Sequence, residues 1–237
     1  MELVKINTDG VSQATRPISD FKNFDWQTAT RDDCIQFARA TGFKETGMSI
    51  NECAVLWELI ERKKPREIVE LGRNYGTSTR LFLQYILRHG GNLSSWDYKD
   101  WPGFLEIMAE NGYRFEPYPG YWRAQMWSGR SFAPDAFCAL ELAHSIKTPI
   151  ADEKKVDLLL VDTEHGLTNL IPEYGRWREY LQGGALIAFH DATLPKVARG
   201  IEIIIEMEEG DNPGRLVRRY EPEKQDGFGI CVLEWRP

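Results

Sequence analysis

The sequence predicts an α/β chain, a doubly wound and mostly parallel sheet preceded by an N-terminal helical arm, and three observations carry that prediction. The stretch Glu67-Ile-Val-Glu-Leu-Gly-Arg-Asn-Tyr-Gly-Thr-Ser-Thr79 runs from an apolar strand through two glycines into a helix. Val156-Asp-Leu-Leu-Leu-Val161 is a nearly continuous apolar run, the pattern of a central parallel strand covered on both faces. A further strand of this kind, Ala185 to Phe189, follows Gly183-Gly184 at the end of a helical stripe. Alternating strands and helices call for right-handed crossovers, and such sheets collect their ligands at the carboxyl ends of the strands.

Residues 1–48 are assigned to the arm and 49–237 to the α/β domain. The arm shows no periodicity before Arg31 to Ala40, a short helix. Ser49-Ile-Asn-Glu52 has the form of a capping box, and Cys53, Leu56, Trp57 and Ile60 follow at helical spacing until Lys63-Lys64-Pro65. A strand over Ile68 to Leu71 leads to a helix over Thr77 to His89, closed by Gly90-Gly91, and then to a strand over Asn92 to Trp96. Between Trp96 and Trp127 the chain is dense in aromatic residues and interrupted by Pro102, Pro117 and Pro119. A helix over Phe104 to Glu110 and a strand over Trp122 to Trp127 are expected there, followed by a helix from Pro134 to Ala143, with the aromatic rings either packing or lining a substrate pocket. After the Val156 strand, Leu170, Tyr174, Trp177 and Leu181 form one helical stripe. Val197 to Glu208 is helical, and strands over Leu216 to Tyr220 and Phe228 to Glu234 close the sheet.

A chain of 237 residues supports one sizeable core. Its net charge of −7 gives no basic footprint for nucleic acid. No apolar run approaches the roughly 20 residues that span a bilayer, and the start lacks the apolar stretch of a signal peptide, so a cytoplasmic protein with no membrane partner is expected. The four cysteines, Cys34, Cys53, Cys138 and Cys231, are scattered with no C-x-x-C pair, which favours reduced, buried thiols over a zinc cluster or a disulfide framework.

Gly72, Asp97, Asp162, His165, His190 and Asp191 all fall on or just after strand ends and should therefore share one rim. The turn at Gly72 and Gly76 lets backbone approach a ligand, and the new helix offers exposed N–H groups. A dinucleotide fingerprint would need a third glycine, and Glu70 stands where it would meet a pyrophosphate, so a cofactor with a cationic end fits better than NAD. Asp97 follows the next strand at the usual distance for an acid that accepts hydrogen bonds from ribose hydroxyls, or it caps a turn. Asp162-Thr-Glu-His165 and His190-Asp191 put carboxylates and imidazoles at neighbouring strand ends. They could hold a divalent cation, with oxygen ligands favouring Mg²⁺, Ca²⁺ or Mn²⁺, or move a proton, or cap turns.

Taken in order, Glu70-Leu-Gly-Arg-Asn-Tyr-Gly-Thr-Ser78, Asp157-Leu-Leu-Leu-Val-Asp-Thr-Glu-His165 and Gly183-Gly-Ala-Leu-Ile-Ala-Phe-His-Asp191 resemble the class I S-adenosylmethionine-dependent methyltransferases. Within them they look like the branch of cephalosporin-hydroxylase-type proteins and macrolide-sugar O-methyltransferases, over residues from about 50 to 234. The resemblance implies a Rossmann-like sheet and S-adenosylmethionine as cofactor, with Glu70, Gly72, Gly76, Thr77 and Ser78 shaping its methionine end and Asp97 holding its ribose. Ser128-Gly-Arg-Ser131 resembles the family's G-D-S turn near adenine, with Arg130 in place of aspartate and Ser131 as the contact. Asp162, His190 and Asp191 match the site of the magnesium-dependent members and His165 the base, with Thr163 where glycine is usual. O-methylation of a small hydroxylated acceptor is implied, as is homo-oligomerisation through the arm. A non-catalytic S-adenosylmethionine-binding protein and a nicotinamide-dependent oxidoreductase are the competing readings.

Overall fold

The computed structural model describes residues 30–40, 47–99, 103–110, 112–127, 130–131, 135–151, 154–211, 213–220 and 229–237. Most of the expected arm, the Ser128-Gly129 turn, Pro134 and Phe228 lie outside the described residues. Helices α1 (Arg31–Ala40) and α2 (Ile50–Lys63) lead into β1 (Glu67–Leu71), α3 (Thr77–His89), β2 (Gly91–Asp97) and α4 (Phe104–Glu110). Strands β3 (Tyr113–Tyr118), β4 (Tyr121–Trp127), β5 (Arg130–Ser131) and β6 (Ala136–Leu142) follow. The second half runs through β7 (Val156–Val161), α5 (Leu167–Trp177), β8 (Leu181–His190), α6 (Pro195–Asp211), β9 (Leu216–Tyr220) and β10 (Ile230–Trp235).

The sheet order is β3-β4-β6-β2-β1-β7-β8-β10-β9, with β5 paired to β4. The five strands β6-β2-β1-β7-β8 are mutually parallel. Antiparallel strands flank them on both sides: β4 and β3 at one edge, β10 and β9 at the other. This is a Rossmann-like sheet, parallel at its centre and antiparallel at both edges. The period of two along β7 divides the core: Leu158 and Leu160 face one cluster with Trp57, Phe82 and Tyr85 of α2 and α3, whereas Leu159 and Val161 face the other with Tyr174, Trp177 and Ile204 of α5 and α6. The four cysteines are buried and none is in a disulfide among the described residues, where no helix is long and apolar enough to cross a membrane.

One expected helix is a strand, and one strand was not expected. Residues 136–142 are a strand, not part of a helix: β6 pairs in parallel with β2 and antiparallel with β4. Ala136-Phe-Cys-Ala-Leu140 is apolar and rich in residues that tolerate either state, so burial between two neighbours outweighs local propensity. Tyr113–Tyr118, not anticipated as a strand, forms the sheet edge, where Pro117 lacks an N–H at little cost. At the far end of α5, Leu181 opens β8 instead of completing the helical stripe.

The capping box at α2 is formed on both sides: Glu52 N–H donates to Ser49 Oγ at 3.3 Å, and Ser49 N–H donates to Glu52 Oε2 at 2.6 Å. Ser49→Ala is therefore expected to lower stability by about 0.5–2 kcal/mol, read as a shift in the urea midpoint at constant slope.

Candidate active site

Strand register brings the rim together. Leu71 pairs with Trp96 on one side and Val161 on the other, and Val161 pairs with Phe189, so Gly72, Asp97, Asp162 and His190 emerge at nearly the same level. Gly72 N–H donates to the Trp96 carbonyl at 2.7 Å and Asp162 N–H to the Leu71 carbonyl at 2.8 Å, extending both pairings past the strand ends. Gly72 has φ +85°, and a Cβ there would stand 1.9 Å from the Asp162 carbonyl oxygen. Above this row opens a cavity of about 570 Å³, walled in part by Gly72, Asp97, Asp162, His165, His190 and Asp191. The shared rim expected from the sequence is therefore present.

Another wall was not foreseen. His144, Ser145 and Ile146 follow β6 and line the cavity with Thr163 and Glu173. Reading β6 as helix hid its end as a rim position, and Glu173 sits among the apolar residues of the α5 stripe. Ser145 Oγ and Thr163 Oγ1 both donate to the buried Glu173 carboxyl, whose pKa burial raises above its usual range against those two bonds. Arg176 donates to the carbonyls of Ile146 and Thr148, tying this wall to α5.

The glycine loop is held from below. Glu70 is fully buried and accepts from Ser78 Oγ at 2.5 Å, Thr79 Oγ1 at 2.7 Å and Ser95 Oγ at 2.5 Å. Thr77 and Ser78 are also buried, in the first turn of α3, behind Gly76 at φ +82°. Asp97 accepts the backbone N–H groups of Arg73 (3.1 Å), Asn74 (3.2 Å) and Lys99 (3.2 Å), so it organises the loop as well as facing the cavity. The buried Arg73 guanidinium donates to the carbonyls of Ser95 at 3.0 Å and Glu141 at 2.8 Å. Ser131 lies on β5, opposite Met126 of β4.

Burial pushes the Glu70 carboxyl up to about 7, against three hydroxyl donors and Arg73. Its folded-state value lies above the ordinary 4.5, so folding favours the protonated form: the contribution is full below about pH 4.5 and is lost as pH rises through about 7. The loss is on the order of 3 kcal/mol. Urea unfolding of wild type and Glu70→Gln at pH 5 and pH 8 checks this, with the pH-dependent difference between the two proteins as the expected signal.

Beside the loop stands the acid–imidazole cluster. His190 Nδ1 lies 3.0 Å from Asp162 Oδ1 and 3.3 Å from Asp191 Oδ2, and its Nε2 lies 3.5 Å from Glu52 Oε2. Burial opposes charge on His190, but the bonds to Asp162, Asp191 and Glu52 outweigh it and push the imidazole up to about 12. His165 Nε2 contacts Asp191 Oδ2 and stands 4.0 Å from Asp162 Oδ1. Asp162 raises its pKa, with Asp191 adding to the effect against desolvation. Desolvation opposes the charge on Asp162, yet the two imidazoles hold its carboxyl below the usual range. Asp191 has φ 55°, a conformation a non-glycine residue keeps only where its surroundings fix it. Asp162, His165 and Asp191 each offer a ligand atom within 4.8 Å of the others. This set differs from the one the resemblance implies, because both His190 nitrogens face carboxylates.

A five-stranded parallel core, a glycine turn after its central strand, an acid at the end of the next strand and a cavity above them agree with what the resemblance to class I S-adenosylmethionine-dependent methyltransferases implies. The methyltransferase-domain family matches residues 69–192, more than half of the 237 residues, and the chain belongs to that family. No curated protein matches the sequence. Among solved structures, the S-adenosylhomocysteine-bound methyltransferase PaMTH1 of Podospora anserina is similar at 13% identity and a TM-score of 0.53, over 87% of this chain and 88% of that one. The O-methyltransferase TomG of Streptomyces achromogenes, involved in tomaymycin synthesis and solved with S-adenosylmethionine, is similar at 16% identity and a TM-score of 0.53, over 89% of this chain and 92% of that one. CalS11, a TDP-rhamnose 3′-O-methyltransferase of calicheamicin biosynthesis, is similar at 13% identity and a TM-score of 0.54, over 76% of this chain and 77% of that one. At these identities the likeness is one of fold.

Proposed function

We propose that this chain transfers the methyl group of S-adenosylmethionine to a hydroxyl oxygen of a small hydroxylated metabolite, in the manner of the cephalosporin-hydroxylase-type and macrolide-sugar O-methyltransferase branch. The observation that carries this reading is the meeting of Asp162, His165 and Asp191 at the same cavity as the Gly72 turn and Asp97. In this reading Gly72, Gly76, Thr77 and Ser78 shape the methionine end, Asp97 holds the ribose and Ser131 is the adenine contact that the resemblance implies. Glu70 acts through Ser78 and Thr79 from beneath the loop. The excess of carboxyl groups around the cavity suits a cofactor that carries a sulfonium and an ammonium.

The reaction is an in-line displacement: an acceptor oxygen lone pair forms the new C–O bond as the C–S bond breaks and neutral S-adenosylhomocysteine leaves. The His165 imidazole, 48% exposed and made more basic by its two aspartates, takes the acceptor proton. General-base help of this kind contributes about 10² to 10⁴ in rate, and alignment adds more. Asp162 and Asp191, with His190 as the resemblance implies, would hold a divalent cation, with Mg²⁺ suited to the two carboxylates, and His165, within reach of both, stays the base. Such an ion would lower the pKa of a bound hydroxyl. His190, implied as a ligand by the resemblance, faces Asp162 and Asp191 with Nδ1 at 3.0 Å and 3.3 Å.

Calorimetry with S-adenosylmethionine and NAD, followed by S-adenosylhomocysteine release with a panel of hydroxylated acceptors, tests the reading. Binding of the sulfonium cofactor alone and acceptor-dependent release, reduced by EDTA and restored by Mg²⁺, are expected. NAD binding with no heat from S-adenosylmethionine would overturn it.

A further inference from the structure

We propose that Glu52, the capping-box residue of α2, is a positioning residue for this site: its carboxylate holds Nε2 of His190, and the ring so fixed holds Asp162 and Asp191 with Nδ1. The proposal rests on the function above, but its geometry stands independently. Glu52 lies outside the matched residues 69–192 and does not line the cavity described above, and among the described residues its contact with the site is to His190.

Capping alone does not account for the placement of this carboxyl group. A capping box needs only a side-chain oxygen that bends back to the N-cap N–H, which glutamine supplies equally well, and such a residue has no need to leave water. Glu52 is only 3% exposed, and one oxygen serves both the cap and His190: Oε2 accepts from Ser49 N–H at 2.6 Å and stands 3.5 Å from Nε2. Glu52 Oε1 and His190 Nε2 are both buried and have no hydrogen-bond partner among the described residues. A buried ring N–H that makes no hydrogen bond is costly, and the Glu52 carboxylate 3.5 Å away offsets that cost through its charge.

Orientation matters because Nδ1 serves two aspartates at once, at 3.0 Å and 3.3 Å, and a modest rotation about the Cβ–Cγ bond would favour one over the other. Nε2 lies on the opposite side of the ring, where a contact resists that rotation. Asp191, at φ 55°, has a backbone that its side-chain partners must help to hold. The N-terminus of α2 is thereby connected to the rim through Ser49, Glu52, His190 and the aspartates. Partners of this kind, one step removed from a site, typically change metal affinity or activity by about 10- to 100-fold when lost.

The test compares wild type, Glu52→Gln and Glu52→Ala as full chains labelled with ¹⁵N-histidine, the His190 ring signals being assigned with a His190→Gln control. Wild type is expected to show a downfield, slowly exchanging Nε2–H. In Glu52→Gln the cap is kept and the urea midpoint holds, while that signal is lost to exchange. Glu52→Ala loses both, and should it fail to fold, Glu52→Gln carries the test. A His190 Nε2–H signal unchanged in Glu52→Gln, whether or not stability falls, would reduce Glu52 to a cap and overturn the proposal. S-adenosylmethionine calorimetry on wild type reports separately: no binding there would sink the methyltransferase reading and leave the His190 signature to decide this one.

Discussion

Gly72→Ala is expected to abolish cofactor binding and to destabilise the chain by more than ~2 kcal/mol. Two costs combine. The first is conformational: at φ +85° an L side chain pays about 1–2 kcal/mol for the left-handed region. The second is steric, because the new Cβ would stand 1.9 Å from the Asp162 carbonyl oxygen, which is backbone and cannot rotate away. Relief requires parting the ends of β1 and β7, which also moves Asp162 and breaks the bond from its N–H to the Leu71 carbonyl. Gly184→Ala separates the two costs, since Gly184 has φ +84° but, among the described residues, no neighbour within 4 Å of its would-be Cβ. Urea unfolding and S-adenosylmethionine calorimetry on both variants measure the difference. Equal stability losses, with cofactor binding intact in Gly72→Ala, would mean that the close approach of the two strand ends is dispensable.

The same contact shows what the sequence could and could not convey. Gly72 was legible as a tight turn because a strand pattern runs into a helix pattern around it, and Asp162 and His190 were legible because the apolar strands end on them. Parallel register does the rest: once β1, β7 and β8 are adjacent, residues following each strand share a level regardless of their separation in sequence. Ser145 and Glu173 were hidden because β6 has a composition compatible with helix, and only its placement between β2 and β4 makes it a strand. Glu52 was visible as a cap, but its second contact spans 138 positions to His190 and leaves no local pattern. Glu70 was placed at the cofactor loop by its position after an apolar run. That its carboxyl faces three hydroxyls beneath the loop depends on Ser95 from the neighbouring strand, again a matter of register.

Asp162→Asn is expected to lower methyl transfer by about 10² to 10⁴ while leaving S-adenosylmethionine affinity within a few-fold of wild type. Asparagine keeps the shape and the backbone bond to Leu71, so the glycine loop and the Gly72 contact survive. What it removes is charge at the point where His190 and His165 meet. Without that charge His165 becomes a weaker base, and His190 is left to Asp191 and Glu52, which pulls the ring away from its shared position. His165→Ala should lose turnover to a similar extent, for it deletes the proton acceptor itself. Because the two residues act on one proton, the double variant is expected to cost little more than the worse single one. Single-turnover S-adenosylhomocysteine formation with an acceptor from the hydroxyl panel, paired with calorimetry on each folded variant, reads both halves. Rates unchanged in Asp162→Asn and His165→Ala would place proton removal elsewhere in the cavity, and additive losses in the double variant would show that the carboxylate acts independently of the imidazole beside it.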